Sequence, residues 1–480
     1  MSYLQVYETF KGVPEREDFK VRVRQTGGEW QPLFIYEVKV DMHEVRPASV
    51  VSFDLEGAAE VEITCLYTEV KSVNIAPASR NIAFVQSGQT FSFSLSGPQK
   101  LSIEINGDLF RNLHLFANPR EVEPPLPGES NVVLVQPGIH RIADLLRLLN
   151  TPALSTGVKP EVLYFTSGAH YIEETVLPIP SGTTVYLAGG SVLVGSLVCE
   201  GVQDVNIRGR GVIYLAAFHR YSAFRGVRII FSHNVSVEGI MVIDPPHYSI
   251  FIGQSEKIEI TNFKSFSTRG WSDGIDIMSS SDIMIRDVFM RNSDDCIAIY
   301  GSRWDFYGDS RNINVRDSIL WADVAHPLMI GTHGEHQRNG DVIENIIFEN
   351  IDILEHHEPQ ENYWGALAIN AGDRNTVRNV LYNNIRVERI AMGQLFDLRV
   401  IRNKDYNPEP GTLIENITFR DVQFNGNNVN PSRIYGFDDE RVVKGVTFIN
   451  LKINGELLAA PRSEWIEINS YTEEIKFVVE

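Results

Sequence analysis

The sequence predicts an all-β protein in two parts: an N-terminal antiparallel β-sandwich followed by a right-handed parallel β-helix. Three observations carry this reading. The first 118 residues alternate apolar and polar positions in short runs broken by turn formers. A Pro-rich stretch then interrupts the pattern. From about residue 160 a short strand signature returns nine times.

The bulk properties set the bounds. A chain of 480 residues is too long for one ordinary core, so two domains, or one domain with a long repeat array, are expected. Hydrophobic content of 43% and charged content of 22% are those of a folded soluble protein. A net charge of −19 and a pI near 5.1 argue against nucleic acid or an anionic membrane as partner. They also disfavour a polyanionic substrate, unless a local basic patch overrides the global field. Cys65, Cys199 and Cys296 are odd in number and far apart, so neither a disulfide framework nor a zinc site is expected. No basic segment followed by an apolar run opens the chain, and no stretch would span a bilayer. The expectation is a cytoplasmic protein, or a secreted one read without its leader. The oligomeric state stays open.

The elements follow in order. Phe19, Val21 and Val23 alternate with polar residues and run into Thr26-Gly27-Gly28, a hairpin signal. Phe91–Leu95 and Leu101–Ile105 flank Gly97-Pro98-Gln99 and predict the clearest hairpin of the chain. Residues 1–118 are therefore read as the sandwich, all antiparallel, and 119–130 as a Pro-rich linker. Residues 131–480 form the β-helix, opened by a short helical run over 141–149.

The repeat places an apolar residue at i, another at i+2 and a turn former at i+4. It runs Val205-Ile207-Gly209, Val235-Val237-Gly239, Ile258-Ile260-Asn262, Ile283-Ile285-Asp287 and Ile313-Val315-Asp317. It continues through Ile346-Phe348-Asn350, Val380-Tyr382-Asn384, Ile417-Phe419-Asp421 and Val446-Phe448-Asn450. Successive units start 30, 23, 25, 30, 33, 34, 37 and 29 residues apart. Helical repeats of similar length would show a period near 3.6; the period here is 2. Asn, Asp and Gly tolerate the left-handed backbone that bends a strand sharply. A fixed strand with variable loops predicts stacked coils of a β-helix.

Stacking gives the acids their meaning. Asp273 lies 15 residues into the coil begun at Ile258, and Asp294 and Asp295 lie 11 and 12 into the next. His333 lies 20 residues into the coil after that. Coil stacking then predicts carboxylates roughly 5 to 9 Å apart, which overlaps the separation used by inverting glycosidases. Adjacent carboxylates resist double ionisation, so one keeps a proton. The candidate catalytic set is Asp273, Asp294, Asp295 and His333. Rings near the same loops suit the apolar faces of sugars. Trp271, Tyr300, Trp304 and Trp364 are the candidate substrate-binding aromatics, with His247 one coil earlier. Arg303, Glu335, Arg338 and Arg399 are weaker candidates. Asp305, Asp309 and Asp317 do not fit a calcium loop, so no metal and no cofactor is expected.

These motifs resemble the polysaccharide hydrolases of glycoside hydrolase family 28 (polygalacturonases and relatives) and family 49 (dextranase, isopullulanase). The family 28 pattern runs Asn-Thr-Asp-Gly, Asp-Asp-Cys, Gly-His-Gly and Arg-Ile-Lys. Trp271-Ser272-Asp273-Gly274, with Asp276 following, and Asp294-Asp295-Cys296 match the first two, and Thr332-His333-Gly334 matches the third in part. The resemblance covers about residues 130 to 460, and a sandwich ahead of the helix looks more like family 49. It implies that Asp294 is the general acid, that Asp273 and Asp295 activate water, and that His333 orients the acid or binds sugar. The fourth motif departs: in Leu367-Ala368-Ile369-Asn370-Ala371, Ala368 and Asn370 stand where Arg and Lys would be. Those cations bind the galacturonate carboxylate in polygalacturonases. With Asn370 as a substrate-binding residue instead, a neutral or partly neutral poly- or oligosaccharide is the expected partner. A galacturonan hydrolase or polysaccharide lyase, and a non-catalytic glycan-binding β-helix, are the alternatives.

Overall fold

The computed structural model describes residues 3–9, 13–152, 157–426 and 429–480. Two sheets stand at the N-terminus. One orders Tyr3–Val6, Arg46–Glu56, Leu113–Pro119, Gln99–Ile105 and Val73–Ala76, with Tyr36–Val40 also paired to Arg46–Glu56. The other orders Gln31–Pro32, Phe19–Gln25, Ala59–Cys65, Thr90–Leu95 and Phe84–Ser87. Their facing sides bury Val21, Phe53, Val61, Phe91, Leu101 and Leu115.

Two expectations change here. Thr90–Leu95 pairs with Ala59–Cys65, whereas Gln99–Ile105 pairs with Leu113–Pro119. The segment around Gly97-Pro98 is therefore a crossing between sheets and not a hairpin turn. Alternation identifies a strand that covers one core face; it does not say which neighbour takes the backbone bonds. Leu113–Pro119 also runs parallel to Arg46–Glu56, so the region is not wholly antiparallel. The turn at Gly27-Gly28 does close a hairpin, pairing Val23 with Gln31.

The first sheet is buried on both sides. Its outer face packs Tyr36, Val38, Val50 and Phe116 against Val212, Met241, Phe266, Phe289 and Trp321 of the β-helix. Charges are buried in the same seam. Arg210 Nε donates to Asp54 Oδ1 at 2.7 Å, and Arg291 Nε donates to Asp323 Oδ2 at 2.9 Å.

The repeat is kept in register throughout. Val205, Val235, Ile258, Ile283, Ile313, Ile346, Val380, Ile417 and Val446 are direct partners down one parallel ladder. Ile475 adds a further rung that the pattern had not shown. The turn formers Asn262, Asp287, Asp317, Asn350, Asn384, Asp421 and Asn450 have φ between 51° and 55°. That is the left-handed region, which a β-branched residue would occupy only under strain. The side chains bond between coils: Asn384 Nδ2 donates to Asn350 Oδ1, and Asn350 Nδ2 to Asp317 Oδ1. Inside, Phe348, Tyr382, Phe419, Phe448 and Phe477 stack one per coil at 4.7 to 5.0 Å. The helix Ile142–Asn150 covers the first coils through Leu145 and Leu149. All three cysteines are buried free thiols. No described helix is long and apolar enough to cross a membrane.

Candidate active site

Four strands, Ile250–Gly253, Ile275–Met278, Ile297–Tyr300 and Leu328–Gly331, stack so that Ile250, Ile275, Ile297 and Leu328 are neighbours. Two places before each of these stand Tyr248, Asp273, Asp295 and His326. The backbone ladder continues through these turns. Ser249 N–H bonds Asp273 O, Gly274 N–H bonds Asp295 O, and Cys296 N–H bonds His326 O. The four side chains therefore form one column, at the parallel-strand step of about 4.8 Å. Gly274 is required beside it: a Cβ there would come within 2.3 Å of Cys296 O.

Asp294 precedes the column by one residue and turns back toward the preceding coil. Its Oδ2 accepts Trp271 N–H at 2.6 Å and its Oδ1 accepts Asp295 N–H at 3.1 Å. As a result, one oxygen from each of Asp273, Asp294 and Asp295 lies within 4.8 Å of the others. This closest approach is tighter than the spacing expected from coil stacking alone. It also lies below the window of about 6.5 to 9.5 Å for inverting enzymes, so separation does not decide the stereochemistry. The same three are the one acidic set among the described residues close enough to share a cation.

Proton affinity follows from this crowding. Burial, and then the charge of Asp295, push Asp294 up to about 6, against the two N–H bonds it accepts. Burial and the neighbouring carboxylates hold Asp273 and Asp276 well above the usual carboxylate range. Asp276 is fully buried, with Arg303 Nη1 4.0 Å from its Oδ2. His326 behaves in the opposite sense. Burial opposes its charge, but Asp295 outweighs burial and raises it to about 9. Its Nδ1 faces Asp295 Oδ1 at 2.7 Å and its Nε2 faces Tyr363 O at 2.9 Å. Both partners are acceptors, so both ring nitrogens carry protons.

A cavity of about 530 Å³ opens over the three acids. Trp271, Tyr300, Arg303 and His333 line it. So do Glu358 and Tyr363 from the loop after His356, and Tyr406 from the loop after Val400. Tyr406 Oη donates to Gln360 Oε1 at 2.7 Å and ties these two loops together. Burial lifts Glu358 to about 7. Hollows of about 850 to 930 Å³ lie against the N-terminal strands, but none of them holds three crowded carboxylates.

The candidates from sequence divide accordingly. Asp273, Asp294, Asp295, His333, Trp271 and Tyr300 share the cavity wall. His333 stands beside the Tyr300 ring, centroids 5.0 Å apart. His247 and Trp304 lie next to that wall, their rings 6.0 Å apart. Trp364 and Asn370 are elsewhere. Trp364 packs by Arg433, and Asn370 is buried, bonded to Arg399 and Asp397. Asn370, expected to bind substrate, instead spends its side chain on Asp397 and Arg399. Sequence reasoning missed His326. The His-Gly pair at 333 drew attention, whereas counting two places back from Leu328 would have found the column.

A profile of Glycosyl hydrolases family 28 matches residues 219–470. The chain belongs to this family. Exopolygalacturonase B of Aspergillus niger is 24% identical over 250 residues, 46% of this chain and 54% of that protein. The probable exopolygalacturonase B of Aspergillus terreus is 24% identical over 254 residues, with the same coverage. The chain thus spans about half the length of these curated relatives. Among solved structures, Dex49A from Penicillium minioluteum matches with TM-score 0.61 at 15% identity, over 98% of this chain and 96% of that one. The family 28 exopolygalacturonase of Yersinia enterocolitica matches at 0.53 and 13% identity, over 88% and 96%. These two share the fold.

Proposed function

We propose that the protein is an O-glycosyl hydrolase of a galacturonan-containing, pectin-type polysaccharide, acting by inversion. The observation that carries the reading is the meeting of Asp273, Asp294 and Asp295 within 4.8 Å on the floor of a sugar-sized cavity. Asp294 is the general acid. It is less buried than the other two, and a carboxyl near 6 holds its proton in mildly acidic solution. It protonates the glycosidic oxygen as the C–O bond breaks. Asp273 and Asp295 hold a water whose oxygen bonds the anomeric carbon, and its proton passes to one of them. His326 Nδ1 holds Asp295 Oδ1 in place at 2.7 Å. Burial and crowding raise Asp273 and Asp276 together, so that pair carries a proton between them. The names of the Aspergillus relatives and the cavity-lining Arg220 and Arg303 support an acidic substrate.

A neutral sugar at the cleaved position is the second reading. It is favoured by Ala368 and by the tied-up Asn370, where this family's cations would stand. The test is product release from polygalacturonate, rhamnogalacturonan, arabinan, dextran and pullulan, with the product anomer followed by NMR. Inverted, saturated products from a galacturonan-containing polymer support the first reading. Release from neutral polymers alone selects the second. Retention of configuration, or unsaturated products, would remove the inverting mechanism.

A further inference from the structure

The chain is strongly acidic overall, at −19, yet three arginines beside the cleft have no acid partner. Among the described residues no carboxylate pairs with Arg220, Arg225 or Arg228, and the Nε of each is buried without a hydrogen bond. The Arg225 side chain makes one bond, to Ala223 O at 3.3 Å. Its guanidinium lies 5.0 Å from the Phe251 ring and 5.5 Å from Trp304. Arg303 approaches Trp304 at 4.5 Å, and Arg220 lies 4.2 Å from Trp271. Arg228 is the ladder partner of Phe251, which in turn partners Asp276. The arginines thus stand one to two coils to the N-terminal side of the acids, on the same outward face.

The opposite side of the cleft is different. Arg399 and Arg433 share one acid there, Asp397, at 2.7 and 3.3 Å. Burying guanidinium N–H groups without acceptors is costly, and an aromatic-backed guanidinium still presents its edge to a planar anion. No carboxylate among the described residues compensates these three charges, which leaves them to be met by an anionic group brought by a ligand.

We propose that Arg220, Arg225 and Arg228, with Trp304 as a stacking surface, form a subsite for a carboxylate-bearing sugar unit that neighbours the cleaved one. Recognition of acid is thereby moved from the Ala368 and Asn370 side to the N-terminal side of Asp273. The subsite deepens the polysaccharide-hydrolase reading and rests on it, but it uses none of the three acids.

The test is binding without turnover. Asp294→Asn protein is titrated with a galacturonate hexamer and with its full methyl ester, followed by tryptophan fluorescence. The acid form should bind at least about tenfold tighter, and added salt should remove that advantage. Arg225→Gln and Arg228→Gln in the same background should each weaken the acid form about tenfold and leave the ester unchanged. Equal affinity for the two forms, equal weakening of both, or binding of neither overturns the subsite. The comparison of acid and ester on the parent needs no arginine variant, so a variant that fails to fold does not blunt it. Hydrolysis by the wild type is assayed separately, and its absence with discrimination retained would count against the hydrolase reading alone.

Discussion

His326 Nδ1 lies 2.7 Å from Asp295 Oδ1, and both residues occupy the same place in successive coils. The ion pair is therefore a product of strand register and not of a loop that happens to fold back. It fixes a positive charge beside a group of crowded carboxylates.

Removing that charge should be felt in stability. His326 has a folded pKa of about 9, above the ordinary 6.5. Its contribution is fully present below 6.5 and is lost as pH rises through about 9. The linkage is worth up to about 3 kcal/mol. Urea unfolding of the wild type should show stability falling between pH 7 and 10, and His326→Gln should flatten that dependence. A wild type with no loss across this window would contradict the assignment.

Asp294→Asn should lower turnover by about 10² to 10⁴ while melting within a few degrees of the wild type. The wild-type kcat should fall as pH rises through about 6, because the acid must be protonated and Asp294 titrates there. Reducing-end assays over pH 4 to 8 check both points.

In the seam between sandwich and β-helix, Asp54→Ala should cost about 3 kcal/mol, since buried Arg210 is left with only the longer contact to Glu121 at 3.9 Å. Asp54→Leu with Arg210→Met and Glu121→Gln should recover most of this, because neither Arg210 nor the Glu121 that it also faces at 3.9 Å is then left as an unpaired charge. Calorimetry of the two variants distinguishes them; similar losses in both would mean that packing, and not charge, sets the cost.

Asn345 has φ 58° and bonds Asn312 and Asn379 in the neighbouring coils. Asn345→Gly should be nearly neutral to mildly destabilising, whereas Asn345→Val should lose about 2 kcal/mol or more to left-handed strain. Equal melting temperatures would show that the turn relaxes.

Much of the fold could be read in the chain because a β-helix writes its register as a repeat. Val205 through Val446 are spaced irregularly in sequence, yet each finds its partner, since only the strand and its bend are held constant. The pairing at Gly97-Pro98 could not be read, because both strands bury a face against one core and alternation does not name a neighbour. Asp273, Asp294 and Asp295 were visible through their coil offsets. His326 was not, since its importance comes from register and not from a motif. The arginines beside the cleft were also hidden: their significance is the absence of acid partners among the described residues, and that is a property of space.

The column Tyr248, Asp273, Asp295 and His326 takes one residue from each coil, while the cavity walls come from the loops between coils. Chemistry and selectivity therefore have separate addresses along the chain. An insertion at residues 401–412 can reshape the cavity wall without moving a carboxylate, because the acids hang on the backbone ladder. A single-residue slip in any of the four strands would instead dismantle the reaction and leave every loop intact.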